Sequence, residues 1–487
     1  MQSEPIILLD KLTAGIRNIQ LLHQVDWRIQ AGEHWIITGA MGAGKTTLAN
    51  CLTSRSRIFS GNIQFPFLGK KAGFDARREA IKMVSFSDTS KLFHSVNNDH
   101  YYQQRYQAFD SDGHLTVRQY LKHSGFDEEN PQHWSVIEYT ALEPLLDLER
   151  IKLSSGQTRK MLIAKAVISE PTILILDNPY LGLDAPSRKV FNDYLDTLAS
   201  ERGVTIILSG HYEELPKCIS HRIHIEVGKV VAKGTIGEVK KQMVKNRLSE
   251  IDQALISKLK RYFQQTPNND IQALIQLEGV DMSYGSKVIF EDLFWHVRPG
   301  EKWALLGNNG SGKSTILSLI YADNPQAYAK SITLFDRKRG SGESIWDVKK
   351  RIGFTSSELH AYFEYNMKAR DVVLTGLWDG FIIQRKPTEG QLEWTRLFFQ
   401  YFGMEEFLLR PFHTLSTGQQ RLLFFIRALI KAPELLLLDE PFQGLDVPTV
   451  EKCRQLLDEL LDEKHTLVFI THYRREIPSS VDKVLAI

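Results

Sequence analysis

The chain carries one long phrase twice, and that duplication constrains its architecture before any single residue is weighed. GEHWIITGAMGAGKTTL (Gly32 to Leu48) recurs as GEKWALLGNNGSGKSTIL (Gly300 to Leu317), with Gly39/Gly307 and Lys45/Lys313 each 268 residues apart. LSSGQ (Leu153 to Gln157) recurs as LSTGQ (Leu415 to Gln419); Asp177/Asp439 and Asp184/Asp446 keep this spacing of 262 residues, and His211/His472 lie 261 apart. Self-similarity over such a distance means two copies of one folding unit. The length of 487 residues agrees, being more than a single core organises.

Within each copy, runs such as HWIITG, TILILD and VTIILSG alternate with helical patterns. Apolar strands separated by helices predict a mainly parallel sheet with helices on its faces, an α/β fold. The expected domains are 1–230 and 273–487. The stretch between them, 231–272, is rich in Lys, Glu and Gln, and Ile251, Leu255 and Leu259 stand at helical spacing in it. It reads as a helical, charged connector ending in the loose turn QQTPNND.

Composition narrows the classes. With 60 Lys+Arg against 58 Asp+Glu, the net charge of +2 gives no global basic field for nucleic acid or anionic lipid. Cys51, Cys218 and Cys453 form no CxxC pair, which argues against a zinc site, an iron-sulfur cluster or a disulfide framework. The first residues lack a secretory pattern, and no apolar run reaches the roughly 18 residues of a spanning helix. The expected location is the cytoplasm, at the inner face of the membrane if a pore-forming partner exists.

GAMGAGKTT (Gly39 to Thr47) and GNNGSGKST (Gly307 to Thr315) each follow an apolar strand and open a helix, as a P-loop must. The glycines Gly39, Gly42 and Gly44, and Gly307, Gly310 and Gly312, let backbone N–H groups turn in around phosphate oxygens at a helix N-terminus. Lys45 and Lys313 are the expected terminal-phosphate ligands, with Thr47 and Thr315 closing each loop. Thr46 and Ser314 are the expected Mg²⁺ ligands. ILILDN and LLLLDE read as buried strands that end in an acid, where Asp177 and Asp439 can hold Mg²⁺ through water.

LSSGQ and LSTGQ resemble the signature LSGGQ of the ATP-binding-cassette (ABC) superfamily, and the P-loop, signature, Walker B, D-loop and switch histidine stand in that family's order in both halves. The resemblance implies two P-loop domains, each with a mainly parallel core, an antiparallel β part and a helical subdomain, arranged head to tail as an internal dimer. It implies ATP and Mg²⁺ as ligands and ATP hydrolysis as the reaction. It further implies composite sites in which Ser154, Gly156 and Gln157 cap ATP on the Lys313 loop, while Ser416, Gly418 and Gln419 cap ATP on the Lys45 loop. His211 and His472 match the switch residue, Asp184 and Asp446 the D-loop, and Tyr284 the aromatic that stacks on adenine, where the first half has Ile16.

The two sites are expected to differ. Glu440 fits the family's general base, whereas Asn178 stands at that point of the first half, and an amide cannot take a proton from water. The family's glutamine before the helical subdomain is missing from the second half, where Ser357 stands. Gln103, Gln104 and Gln107 compete for that role in the first half, inside the insertion YYQQRYQ (Tyr101 to Gln107). Ile332 to His360 and the segment from Leu415 resemble tandem ABC proteins tied to molybdenum transport. That implies membrane permease subunits as partners; a ribosome or nucleic-acid partner and an ATP-occupancy switch are the competing readings.

Overall fold

The chain divides into two compact units, Met1–Arg247 and Leu248–Ile487. The computed structural model describes residues 5–71, 73–85, 115–153, 155–180, 185–210, 212, 214–243, 253–264, 271–284, 287–307, 310–356, 359, 363 and 367–487. In the first unit, β1 (Pro5–Ile16), β2 (Ile19–Gln30), β3 (Trp35–Gly39), α1 (Lys45–Leu52) and β4 (Arg57–Gln64) come first. Then follow α2 (Phe74–Ala80), β5 (Ile81–Val84), α3 (Val117–Lys122), α4 (Pro131–Thr140), α5 (Ser155–Ile168), β6 (Ile173–Asp177) and α6 (Ala185–Glu201). β7 (Thr205–Ser209), β8 (His221–Glu226), β9 (Lys229–Thr235) and α7 (Ile236–Met243) complete it.

The central sheet runs β5-β6-β7-β3-β8-β9, parallel except for the last pair. All five residues of β6 are buried, because both faces of this sheet are covered. Ile173 and Ile175 face α1 and the antiparallel sheet β2-β1-β4, whereas Leu174 and Leu176 face the core built with the helices. Period-two alternation thus divides one strand between two cores. Val117, Leu121, Val136 and Ile137 carry the second core into the helical part.

The second unit repeats the plan. It contains α8 (Gln253–Phe263), β10 (Ile275–Tyr284), β11 (Lys287–Val297), β12 (Lys302–Leu306), α9 (Lys313–Ile320), β13 (Ile332–Leu334), β14 (Arg337–Lys338) and α10 (Ile345–Lys349). After these come β15 (Ile352–Thr355), α11 (Ala369–Leu374), α12 (Glu389–Tyr401), α13 (Thr417–Leu429), β16 (Leu435–Asp439), α14 (Val447–Leu460), β17 (Thr466–Ile470) and β18 (Lys483–Ala486). The order β15-β16-β17-β12-β18 is wholly parallel, and β11-β10-β13-β14 is antiparallel.

The stretch expected to be a connector is divided between the units. Its first residues lie in β9, paired antiparallel with β8, and in α7. Its later helix, α8, packs on the second unit: Ile256, Leu259 and Phe263 are buried, Tyr262 stacks on Trp394, and the Tyr262 hydroxyl donates to Ile430 O. Among the described residues no helix is long and apolar enough to cross a membrane.

Candidate nucleotide sites

β3 and β12 lie inside their sheets, so each delivers its glycine-rich loop to the carboxyl end of the strands, where α/β folds bind ligands. Gly44 and Gly312 cap α1 and α9 in the left-handed region, with φ of 106° and 99°. A Cβ would meet Leu22 Cδ2 at 2.7 Å in one case and Ile289 Cγ2 at 2.6 Å in the other, so both positions require glycine. Lys45 Nζ donates to Gly39 O at 2.8 Å and to Ala40 O at 2.9 Å; Lys313 Nζ donates to Gly307 O at 2.9 Å. Both ammonium groups therefore sit at the mouths of their loops.

The hydroxyls and acids expected to share a metal are adjacent. Thr46 Oγ1 donates to Asp177 Oδ2 at 2.7 Å, and Ser314 Oγ to Asp439 Oδ2 at 2.8 Å. One hydroxyl and one carboxylate are hard oxygen donors, a set that fits Mg²⁺ completed by water and phosphate oxygens. Among the described residues no group of three or more His, Cys, Asp and Glu side chains forms an all-protein cage. Burial raises the Asp177 carboxyl above its ordinary range, against the opposing pull of the Thr46 hydroxyl, Lys45 and Arg159.

One step beyond each aspartate the backbones coincide and the chemistry differs. Asn178 and Glu440 both have positive φ, 54° and 48°, and their N–H groups donate to Ser209 O and Ile470 O at 2.8 and 2.9 Å. Glu440 Oε2 accepts from Gln443 Nε2 at 2.6 Å, and Oε1 lies 2.8 Å from His472 Nε2, a close contact off the hydrogen-bond line. Burial presses this carboxyl upward, but His472, Arg421 and Lys313 together hold it below the ordinary carboxylate range. The carboxylate itself is half-buried. Asn178 instead donates from Nδ2 to Asp177 Oδ1 at 3.2 Å, and its Oδ1 lies 3.5 Å from the Tyr212 hydroxyl.

The signature in the second unit starts a helix by a capping box. Ser416 Oγ accepts from Gln419 N at 3.3 Å, and Ser416 N donates to Gln419 Oε1 at 2.9 Å. Gly418 is buried in that first turn. In the first unit Gly156 and Gln157 lie in the first turn of α5, both half-buried. Asp446 caps α14, accepting from Thr449 N at 2.9 Å. Ile16 and Tyr284 occupy the same hairpin position, paired with Ile19 and Lys287, and Ile16 is exposed. Ser154, Asp184, His211, Ser357, the insertion 101–107 with Gln103, Gln104 and Gln107, and the Tyr284 side chain lie outside the described residues.

Two buried arginines escaped the motif reading. Arg159 Nη1 donates to Asn178 O at 2.7 Å, and Arg421, at the equivalent position two residues past the signature, donates to Gln443 O and Oε1 at 3.0 and 2.7 Å. The available signal was a cation repeated just behind each signature.

A P-loop on a parallel strand, an acid closing the neighbouring strand and a capped signature helix define an ABC-type ATP-binding protein, and the chain belongs to the ABC transporter family, whose pattern matches residues 22–181 and 290–443. Two relatives match along nearly their whole length. ABC transporter ATP-binding protein ModF of Escherichia coli (strain K12) is 33% identical over 473 residues, 93% of this chain and 91% of that protein. An uncharacterized ABC transporter ATP-binding protein of Schizosaccharomyces pombe is 30% identical over 471 residues, 95% of this chain and 94% of the relative. The solved structure of cbiO1 from Clostridium perfringens, part of the ABC transporter complex cbiONQ, is similar at 22% identity and a TM-score of 0.38, over 53% of this chain and 96% of that one.

Proposed function

We propose that the chain is a Mg²⁺-dependent ATPase in which turnover is carried by the site containing Glu440, while the site containing Asn178 binds ATP and hydrolyses it poorly. The observation behind this reading is the shared backbone turn with a carboxylate in one unit and an amide in the other. Glu440 takes a proton from the attacking water as its oxygen bonds to the γ-phosphorus and the bond to the bridging oxygen breaks, giving ADP and phosphate. Lys313 and the loop amides hold the phosphate oxygens, and His472 stands beside the base. Mg²⁺, held by Ser314 and Asp439, would neutralise phosphate charge. By family resemblance, the signature at 153–157 completes the Lys313 site and the signature at 415–419 the Lys45 site, with Tyr284 on adenine and His211 at the γ-phosphate of the weaker one.

General-base loss typically costs 10²- to 10⁴-fold in rate, about 3–5 kcal/mol of barrier. Steady-state Mg²⁺-ATPase activity should fall by about 10²-fold or more in Glu440→Gln with ATP binding kept, and change little in Asn178→Ala. Retention of more than about a tenth of the rate in Glu440→Gln removes the assignment. The likeness to ModF supports, as part of this proposal, a role for the ATPase as the energising component of a molybdate-type transport system at the inner face of a membrane. Co-purification of a permease tests that role; recovery with ribosomal particles instead would overturn it.

A further inference from the structure

The first unit contains a pocket of about 550 Å³ between the end of α1, α2, β5, Tyr120 of α3 and α5, away from its P-loop. Five cations line it: Arg55, Arg77, Arg78, Lys82 and Lys165. Among the described residues no carboxylate lines it, and Thr53, Ser54 and Ser169 add hydroxyls. Several of these cations lean on neutral groups. Lys82 Nζ donates to Arg78 O at 3.0 Å, Lys165 Nζ to the Tyr120 hydroxyl at 3.0 Å and Arg77 Nη1 to Ser54 Oγ at 2.6 Å, while Arg77 Nε is buried with no hydrogen-bond partner among the described residues. Burial first, and then Arg78 and Lys165, hold the Lys82 ammonium below its ordinary range, against Glu79. Like charges have been gathered here at an electrostatic cost.

The second unit carries different side chains at the same place. Where Arg55 stands three residues past α1, Asp323 stands three past α9; where Lys82 follows Ile81 in β5, Gly353 follows Ile352 in β15. Tyr321 and Phe354, at the positions of Thr53 and Met83, stack with ring centroids 4.2 Å apart. Two cations there are paired with acids, Lys349 with Asp323 at 2.5 Å and Lys431 with Asp379 at 2.6 Å, while Arg427, at the position of Lys165, donates to Thr375 Oγ1 and Gly380 O. One fold position thus carries acid-paired lysines in one unit and, among the described residues, a pocket lined by five cations and no carboxylate in the other.

We propose that the first-unit pocket binds a small, multiply charged oxyanion such as a phosphate ester, separately from ATP in the P-loops. Its volume lies in the range of small-ligand sites, and guanidinium and ammonium donors beside hydroxyls are the groups that recognise phosphate oxygens. The site stands apart from the proposed turnover, so either reading can fail alone.

The test uses the full chain with both P-loops saturated by Mg²⁺ and a non-hydrolysable ATP analogue. Pyranine, a fluorescent trisulfonate, is titrated and its anisotropy followed, with inorganic phosphate and a sugar bisphosphate as competitors. Saturable binding is expected, weaker by about tenfold or more in Arg78→Ala/Lys82→Ala. Arg55→Glu, at an exposed position, should weaken it similarly without threatening the fold. Lys229→Ala/Lys233→Ala removes two charges from β9 of the same unit and should leave it unchanged. No saturable binding, or equal weakening in the β9 pair, overturns the proposal; displacement by the bisphosphate ahead of phosphate assigns the ester, and the reverse assigns the free ion.

Discussion

Replacing Lys431 by methionine should unlock the buried charge cluster of the second unit. The Lys431 and Asp379 side chains are 8% and 4% exposed, and the ammonium donates to both carboxylate oxygens at 2.6 and 2.7 Å and to Lys349 O at 2.7 Å. Lys431→Met leaves the buried carboxylate with the Tyr321 hydroxyl at 3.5 Å and the more distant charges of Arg427 and Lys349. Removing one partner of a buried pair costs about 3–5 kcal/mol. Asp379→Asn should cost less, about 1–3 kcal/mol, because burial already holds Lys431 down to about 8 and the lysine can shed its proton near neutrality at about 1.4 kcal/mol per pKa unit. The double variant should recover about 1–3 kcal/mol relative to the sum of the singles, the coupling of a contacting pair. For a unit of this size each kcal/mol moves the midpoint by about 2–4 °C, so Lys431→Met should lower one calorimetric transition by about 10 °C and leave the first unit's in place. A loss under about 1 kcal/mol, or a larger loss in Asp379→Asn than in Lys431→Met, would refute the argument.

On the proposal that each signature caps the other unit's P-loop, Gly156→Asp in the first unit should be as damaging to hydrolysis as Glu440→Gln in the second. At about 5 Å and an effective dielectric of about 20, one added charge beside a triphosphate is worth about 3 kcal/mol; Gly418→Asp should chiefly loosen nucleotide at the other site. ATPase activity and bound nucleotide in both variants decide it, and a dead Gly418→Asp beside a normal Gly156→Asp would mean each unit uses its own signature. Because its neighbours hold the Glu440 carboxyl below the ordinary range of about 4.3, it stays ionised as pH falls to that range, and kcat/KM should show no Glu440 limb between about pH 5.5 and 7. A limb in that window that vanishes in Glu440→Gln would mean burial dominates. Ser416→Ala removes the α13 cap and should lower stability by about 1 kcal/mol in a denaturant titration.

Strand, glycine loop and helix were legible because each is written locally: an apolar run, glycines at fixed spacing, a lysine at the first helical turn. The Glu440/Asn178 contrast was legible for the same reason. The clamp around Glu440 was not, since Gln443 and His472 reach it from a turn and from the end of another strand. The connector shows the other limit. Its helical period announced an apolar stripe, yet the buried positions are Ile256, Leu259 and Phe263, and nothing local says which unit will cover them. The pocket contrast was equally hidden, because Arg55 and Lys82, far apart in sequence, come to line one pocket only in the fold.

α8 also sets where the chain can be cut. It precedes the second repeat in sequence, yet it lays Tyr262 on Trp394 and Phe263 beside His465. A second-half fragment trimmed to the repeat, starting near Ala273, would leave the Trp394 ring and the groove for Phe263 bare to water and invite self-association. A fragment begun ahead of Gln253 keeps that cover. The boundary for dissecting or recombining the halves therefore lies upstream of the place where the duplicated text begins.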